Sequence, residues 1–243
     1  MRFLLVAITV LLAGSAYLGH VAAAPSGPAE GLTAVRVPGL RLKASTRNVV
    51  VDEVGFPHIL GEIVNNSTKK VLLPQVEITL FDKNNRVLQR IPAYTRCIFY
   101  MRPGDSAPID VPVVETQPVD HFTIAVKGVV SNREAMRGVS FSDLEFSIVP
   151  LGPLAGFVQV GGVIRNRSRF DYYFPEVCAA GVNARGRFLV VGQVPTATLQ
   201  LPKGQINTFQ GQLGEYAAPN AKGARFYLKV CTEDDVVDFG CGG

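Results

Sequence analysis

Gly61-Glu62-Ile63-Val64-Asn65-Asn66-Ser67 opens a segment, 61–89, that returns as Gly162-Val163-Ile164-Arg165-Asn166-Arg167-Ser168 and runs on to position 190. The offset is a constant 101 residues with no gap, and eight positions are identical: Gly61/Gly162, Ile63/Ile164, Asn65/Asn166, Ser67/Ser168, Pro74/Pro175, Val76/Val177, Arg86/Arg187 and Leu88/Leu189. A unit of about 100 residues is too long for a solenoid repeat and is the size of a domain. Two domains of one kind are therefore expected, over 35–130 and 143–239, joined by a linker at 131–142 and closed by a tail at 240–243. Each is large enough for its own core.

The residues within the repeat are those of strands and turns. Apolar residues come in runs of four to eight, broken by Asn, Gly, Pro and Asp. Val76, Ile78 and Leu80 alternate with Glu77 and Thr79, the period of a half-buried strand. Asn65 and Asn166 follow apolar runs at which strands stop, because Asn accepts left-handed backbone angles and bonds its own chain two residues on. Pro74 and Pro175 are expected to open the next strand, since proline is tolerated at a strand's first residue. Asp82-Lys83-Asn84-Asn85 and Asn183-Ala184-Arg185-Gly186 read as hairpin turns. About seven short strands per copy, and no sustained helical stripe, predict an all-β chain of two tandem antiparallel β-sandwich domains.

Ahead of the repeat lies a different kind of segment. Phe3 to Tyr17 carry no charge, Arg2 precedes them, and Val21-Ala22-Ala23-Ala24 supplies small residues for a signal peptidase. A signal peptide over 1–23 is expected, followed by a flexible Pro- and Gly-containing lead-in at 24–34. The alternative is an uncleaved anchor, because residues 3–24 are long enough to span a bilayer. Either way the rest of the chain lies outside the cytoplasm.

One family fits the pattern. Gly61 to Ser67, then Val76-Glu77-Ile78-Thr79-Leu80-Phe81-Asp82, then Pro103-Gly104-Asp105, resemble the FxLYD domain of bacterial and archaeal exported proteins. Ile78-Thr79-Leu80-Phe81-Asp82 stands where the family has Phe-x-Leu-Tyr-Asp. The second copy reads Ala179-Ala180-Gly181-Val182-Asn183 and departs from it, keeping instead Gly162, Asn166, Ser168 and Pro175. The resemblance implies an immunoglobulin-like sandwich, extracytoplasmic, without catalytic residues to carry over.

The chain's own residues offer little chemistry. His58 and His121 are the histidines beyond the signal segment, both in the first copy. A hydrolase site built on His58 with Asp52 or Glu53 is conceivable, but the nucleophile elbow of a serine hydrolase is missing. Glu233, Asp234, Asp235 and Asp238 lack the alternating spacing and glycine of a calcium loop. No cofactor, metal or catalytic residue is expected. The net charge of +4 on 243 residues is too small to indicate nucleic acid. Four cysteines remain for an oxidising compartment: Cys97, Cys178, Cys231 and Cys241. None forms a CxxC pair. Cys231–Cys241 is the expected disulfide, with Cys178–Cys241 as the alternative.

The expected function is a non-catalytic binding or adhesion-type module pair at the cell envelope. The alternatives are an accessory subunit of an envelope complex and a secreted hydrolase near His58. The expected partner is an envelope protein or an acidic envelope polymer, the Arg165–Arg169 turn meeting such a polymer or a lipid head group; a membrane is expected as partner only if the N-terminal segment stays uncleaved. Arg165, Arg167 and Arg169 alternate across the first polar turn of the second copy. Alternation places their guanidinium groups on one side, a seat for a carboxylate, sulfate or phosphate. The competing role is to solubilise the turn while pairing with Asp171 or Glu176. Arg185 and Arg187 follow the next strand and belong to the other end.

Overall fold

The computed structural model describes residues 34–233 except 53–54, 96–97, 99, 116, 132–137, 152–154 and 214–217. The expected signal segment, Glu53, Cys97, Cys241 and the acids at 234, 235 and 238 lie outside the described residues. The first copy folds as β1 (Leu40–Leu42), β2 (Asn48–Val51), β3 (Pro57–Asn65), β4 (Lys70–Phe81), β5 (Val87–Tyr94), β6 (Tyr100–Met101), β7 (Ser106–Pro112) and β8 (His121–Ser131). The second folds as β9 (Val139–Leu151), β10 (Ala155–Asn166), β11 (Tyr172–Val182), β12 (Phe188–Val194), β13 (Gln200–Leu201), β14 (Ile206–Gln212) and β15 (Gly223–Cys231).

Each copy is two antiparallel sheets enclosing one core. In the first, β3 lies between β7 and an edge shared by β1 and β2, while β4 lies between β8 and an edge shared by β5 and β6. Ile59, Ile63, Ile109 and Val111 from one sheet meet Val71, Val76, Ile78 and Leu80 from the other. In the second, β10 lies between β9 and β14, and β11 between β15 and the β12–β13 edge. Val158, Val160, Ile164 and Phe209 there meet Tyr172, Val177, Val190 and Leu228. The fold is thus all-β, in two tandem sandwiches, and the alternation read on β4 is the one it buries: Val76, Ile78 and Leu80 inward, Glu77 and Thr79 outward.

Two expectations need correction. The stretch 131–142 is not linker throughout, for β9 begins at Val139. Val139 and Phe141 alternate with Ser140 and Ser142 and pack on the second core. Nor do Pro74 and Pro175 open their strands. β4 starts at Lys70 and β11 at Tyr172, and each proline follows a residue in the left-handed region at a break in the ladder, Leu73 (φ 47°) and Phe174 (φ 48°). Proline has no N–H to donate, so the strand passes it on a bulge. Thr95 Oγ1 donates to the Pro74 carbonyl at 3.1 Å, and Thr196 Oγ1 to the Pro175 carbonyl at 2.9 Å, bracing both bulges alike.

The sandwiches meet outer face to outer face. Leu60 and Val50, on the side of β3 and β2 away from their core, pack against Cys178, Ala180, Phe188, Val191 and Tyr227. The Phe188 N–H donates to the Thr46 carbonyl at 3.1 Å, and Asn48 Nδ2 to the Phe188 carbonyl at 2.8 Å. Neither Cys178 nor Cys231 is a free thiol. Cys178 pairs with Tyr227 across the ladder, four positions along β15 from Cys231, which holds the two cysteines ~14 Å apart and too far to bond each other.

Candidate functional site

The identical residues of the repeat build the same end of each sandwich. Asn65 is fully buried; its Nδ2 donates to the carbonyls of Lys69 (2.8 Å) and Met101 (3.0 Å), and its Oδ1 accepts from the N–H (3.1 Å) and hydroxyl (2.6 Å) of Ser67. Asn166 does the same with Phe170, Leu201 and Ser168, at 2.8, 2.9, 2.9 and 2.7 Å. One buried amide thereby satisfies backbone groups of its own turn and of the short strand beside it. The Asn66 N–H donates to Gly39, and the Arg167 N–H to Gly138, each glycine in the left-handed region.

Arg165, Arg167 and Arg169 lie at this end of the second sandwich, all exposed, with Asn166 buried and Ser168 half-buried between them. Arg165 is the last residue but one of β10 and stands opposite Ile206 of β14. The Arg169 guanidinium sits 4.8 Å above the Phe170 ring. Of the two expected carboxylate partners, Asp171 accepts the Lys203 backbone N–H through Oδ1 at 2.7 Å, and Glu176 is 3.2 Å from Lys229 Nζ. Arg185 and Arg187 sit past the far end of β11, where Asn183 Oδ1 accepts both their N–H groups. The structure thus brings the three arginines to one end and keeps the other two away.

His58 lies on the outer face of β3 between two carboxylates. Its Nδ1 is 2.6 Å from Asp110 Oδ1 and its Nε2 3.4 Å from Asp52 Oδ2. A base that serves a nucleophile keeps one ring nitrogen for it, whereas both nitrogens of His58 face aspartates and tie β3 to β7 and to the end of β2. His121 is stacked on Phe81 (4.9 Å, 6°), with Nδ1 2.9 Å from Asp120.

A buried polar cluster at the junction of the sandwiches was not read from the sequence. Glu62 Oε1 accepts from Ser106 Oγ (2.9 Å) and the Tyr227 hydroxyl (3.0 Å), while Oε2 accepts from Arg225 (2.6 Å) and lies 3.5 Å from Lys43 Nζ. Its signal was a carboxylate inside an apolar strand, at the position where the second copy has Val163. Burial, then the Glu62 charge and hydrogen bond, push the Tyr227 phenol above its ordinary range, with Arg225 acting in the opposite sense.

Neither a protein-family model nor a curated protein matches the chain. Among solved structures it is similar to red sea bream transglutaminase (8% identity, 82% of this chain and 30% of that one, TM-score 0.25). It is also similar to the exo-chitosanase CsxA of Amycolatopsis orientalis (11% identity, 77% and 26%, TM-score 0.20). The chain spans less than a third of either protein, and at these scores neither fold nor activity transfers.

Proposed function

We propose that this protein is an exported, non-catalytic pair of binding modules of the cell envelope, related to the FxLYD domains. One observation carries the reading: the residues that the two copies share have structural uses. Ile63/Ile164 and Val76/Val177 fill cores, and Leu88/Leu189 pack against them. Asn65/Asn166 and Ser67/Ser168 close the sandwich end, Pro74/Pro175 sit at bulges, and the Arg86/Arg187 N–H groups close hairpins on Asp82 and Asn183. Some residues in which the copies differ, Arg165, Arg167 and Arg169 among them, are exposed, and an exposed surface is where modules acquire ligands. The apolar start of the chain, with its small-residue cleavage site, supports export and disulfide formation.

The test is fractionation of cells expressing the chain with its own N-terminus, followed by a pull-down from envelope extract and a hydrolase panel. Recovery outside the cytoplasm with an envelope ligand supports the reading. A hydrolytic activity lost in the His58→Ala variant overturns it. The edge of β9, which among the described residues pairs with β10 alone and is kinked at Asp143 (φ 50°), favours the accessory-subunit reading in one respect, since an open edge can accept a partner's strand. One stoichiometric partner in the pull-down would select it.

A further inference from the structure

The two sandwich ends built on Asn65 and Asn166 have the same hydrogen bonds, so each residue of one has a counterpart in the other. The Asn66 and Arg167 N–H groups donate to equivalent glycines. Lys69 and Phe170 each offer a carbonyl to the buried amide and an N–H to the serine hydroxyl. The Asn65 N–H donates to Asp105, and the Asn166 N–H to Gln205. Val64 pairs with Ser106, and Arg165 with Ile206. Because the first end makes the same scaffold without them, the fold does not call for what the second end carries.

The differences run in one direction. Val64, Asn66 and Thr68 become Arg165, Arg167 and Arg169. Asp105, which holds Arg102 in a two-bond pair (3.0 and 3.2 Å), becomes the neutral Gln205, while Lys203 adds a cation to the same turn. Lys69 becomes Phe170 and Ser106 becomes Ile206, 37% and 52% exposed. Leu199, 68% exposed, joins them: its neighbour Thr198 is hydrogen-bonded to Asn207, the neighbour of Ile206. Each of two apolar side chains has an arginine beside it, Ile206 with Arg165 across the ladder and Phe170 beneath the Arg169 guanidinium. Over 165–171 and 199–206 Asp171 is the one carboxylate.

We infer that this end of the second sandwich docks on an anionic lipid surface, with Phe170, Leu199 and Ile206 entering the headgroup layer and Arg165, Arg167 and Arg169 meeting phosphates. The inference rests on the envelope reading and names its partner. A purely electrostatic ligand, such as an acidic polysaccharide, accounts for the arginines but gives no reason to expose three large apolar side chains among them. A bilayer interface accounts for both, since apolar tips and cations add in binding to anionic lipid.

The chain contains no tryptophan, so Leu199→Trp places a single reporter at the contact. This local signal is independent of membrane binding through the apolar N-terminal segment of the full chain. On phosphatidylglycerol-containing vesicles at low salt, the indole emission of L199W should shift to the blue and become shielded from iodide. Phosphatidylcholine vesicles should give no shift. Adding R165S, R167S and R169S should weaken the partitioning read at this indole by about 100-fold. An indole still open to iodide on phosphatidylglycerol vesicles with which the protein co-sediments overturns the inference. So does arginine-dependent retention on polygalacturonate without any indole shift on vesicles. Neither result touches the envelope reading, which fails separately if the protein is cytoplasmic or His58-dependent hydrolysis is found.

Discussion

Tyr227 shows what one residue contributes where the two sandwiches meet. Its hydroxyl is committed to Glu62, and its pKa is raised, chiefly by burial. In the unfolded chain a tyrosine ionises near pH ~10. Above that value the unfolded state releases the proton and the folded state keeps it, so stability falls as pH rises, by about 1.4 kcal/mol per pH unit for this group. Tyr227→Phe removes the titration. Urea unfolding at ~pH 8 and ~pH 11 should show a smaller alkaline loss in the variant than in the parent; equal losses would place the alkaline sensitivity elsewhere. The buried asparagines make the complementary point. Asn65 and Asn166 terminate their strands, and their identity is also demanded by four hydrogen bonds that no side chain of another shape makes together.

At the scale of the element, β4 and β11 have one fold position and two environments. Glu77 of β4 faces outward to Lys127 (3.1 Å) and Arg90 (3.9 Å). At the same places in β11, Cys178 and Ala180 are fully buried against the first sandwich, while Val177 and Ala179 fill their own core. A strand covered on both faces has room only for small side chains. Gly181 is the extreme: a Cβ there would lie 2.9 Å from Val190 Cγ1 and 3.1 Å from Val158 Cγ2. This is why Ala179-Ala180-Gly181-Val182 departs from Ile78-Thr79-Leu80-Phe81. Exchanging equivalent residues tests it. Ala180→Thr should cost about 1–3 kcal/mol by overpacking, whereas Thr79→Ala, on the outward face, should stay within about 0.5 kcal/mol. Equal costs would mean that the strand is not closed on both sides.

For the whole molecule, the junction makes the two sandwiches one unit, through Leu60 and Phe188, the backbone bond from Phe188 to Thr46, and the Glu62 cluster. The cysteines extend this. Cys178 and Cys231 are not free and cannot bond each other. If Cys231 takes Cys241, the remaining cysteine for Cys178 is Cys97, in the first copy. Such a bridge closes a loop of about 80 residues and is worth ~4 kcal/mol by chain entropy. Peptide mapping under non-reducing conditions should return Cys231–Cys241 and Cys97–Cys178, and reduction should lower Tm. Alkylation of Cys231 in the native oxidised protein would refute the pairing.

The sequence by itself determined that there are two copies, that they are built of alternating strands, where the hairpins close, and that Arg165, Arg167 and Arg169 share one end. These follow from local periodicity and from a repeat that aligns without gaps, both of which act along the chain. It placed the prolines at strand starts and the second copy's opening strand too late, because a bulge and the cover on an edge strand depend on neighbours distant in sequence. Only the tertiary structure decided that sheet packs against sheet between the copies, that Glu62 is buried with Arg225 and Tyr227, and that Leu199 stands beside Ile206. Those contacts join residues up to 165 positions apart, and no local pattern encodes which of two chemically similar faces will be covered.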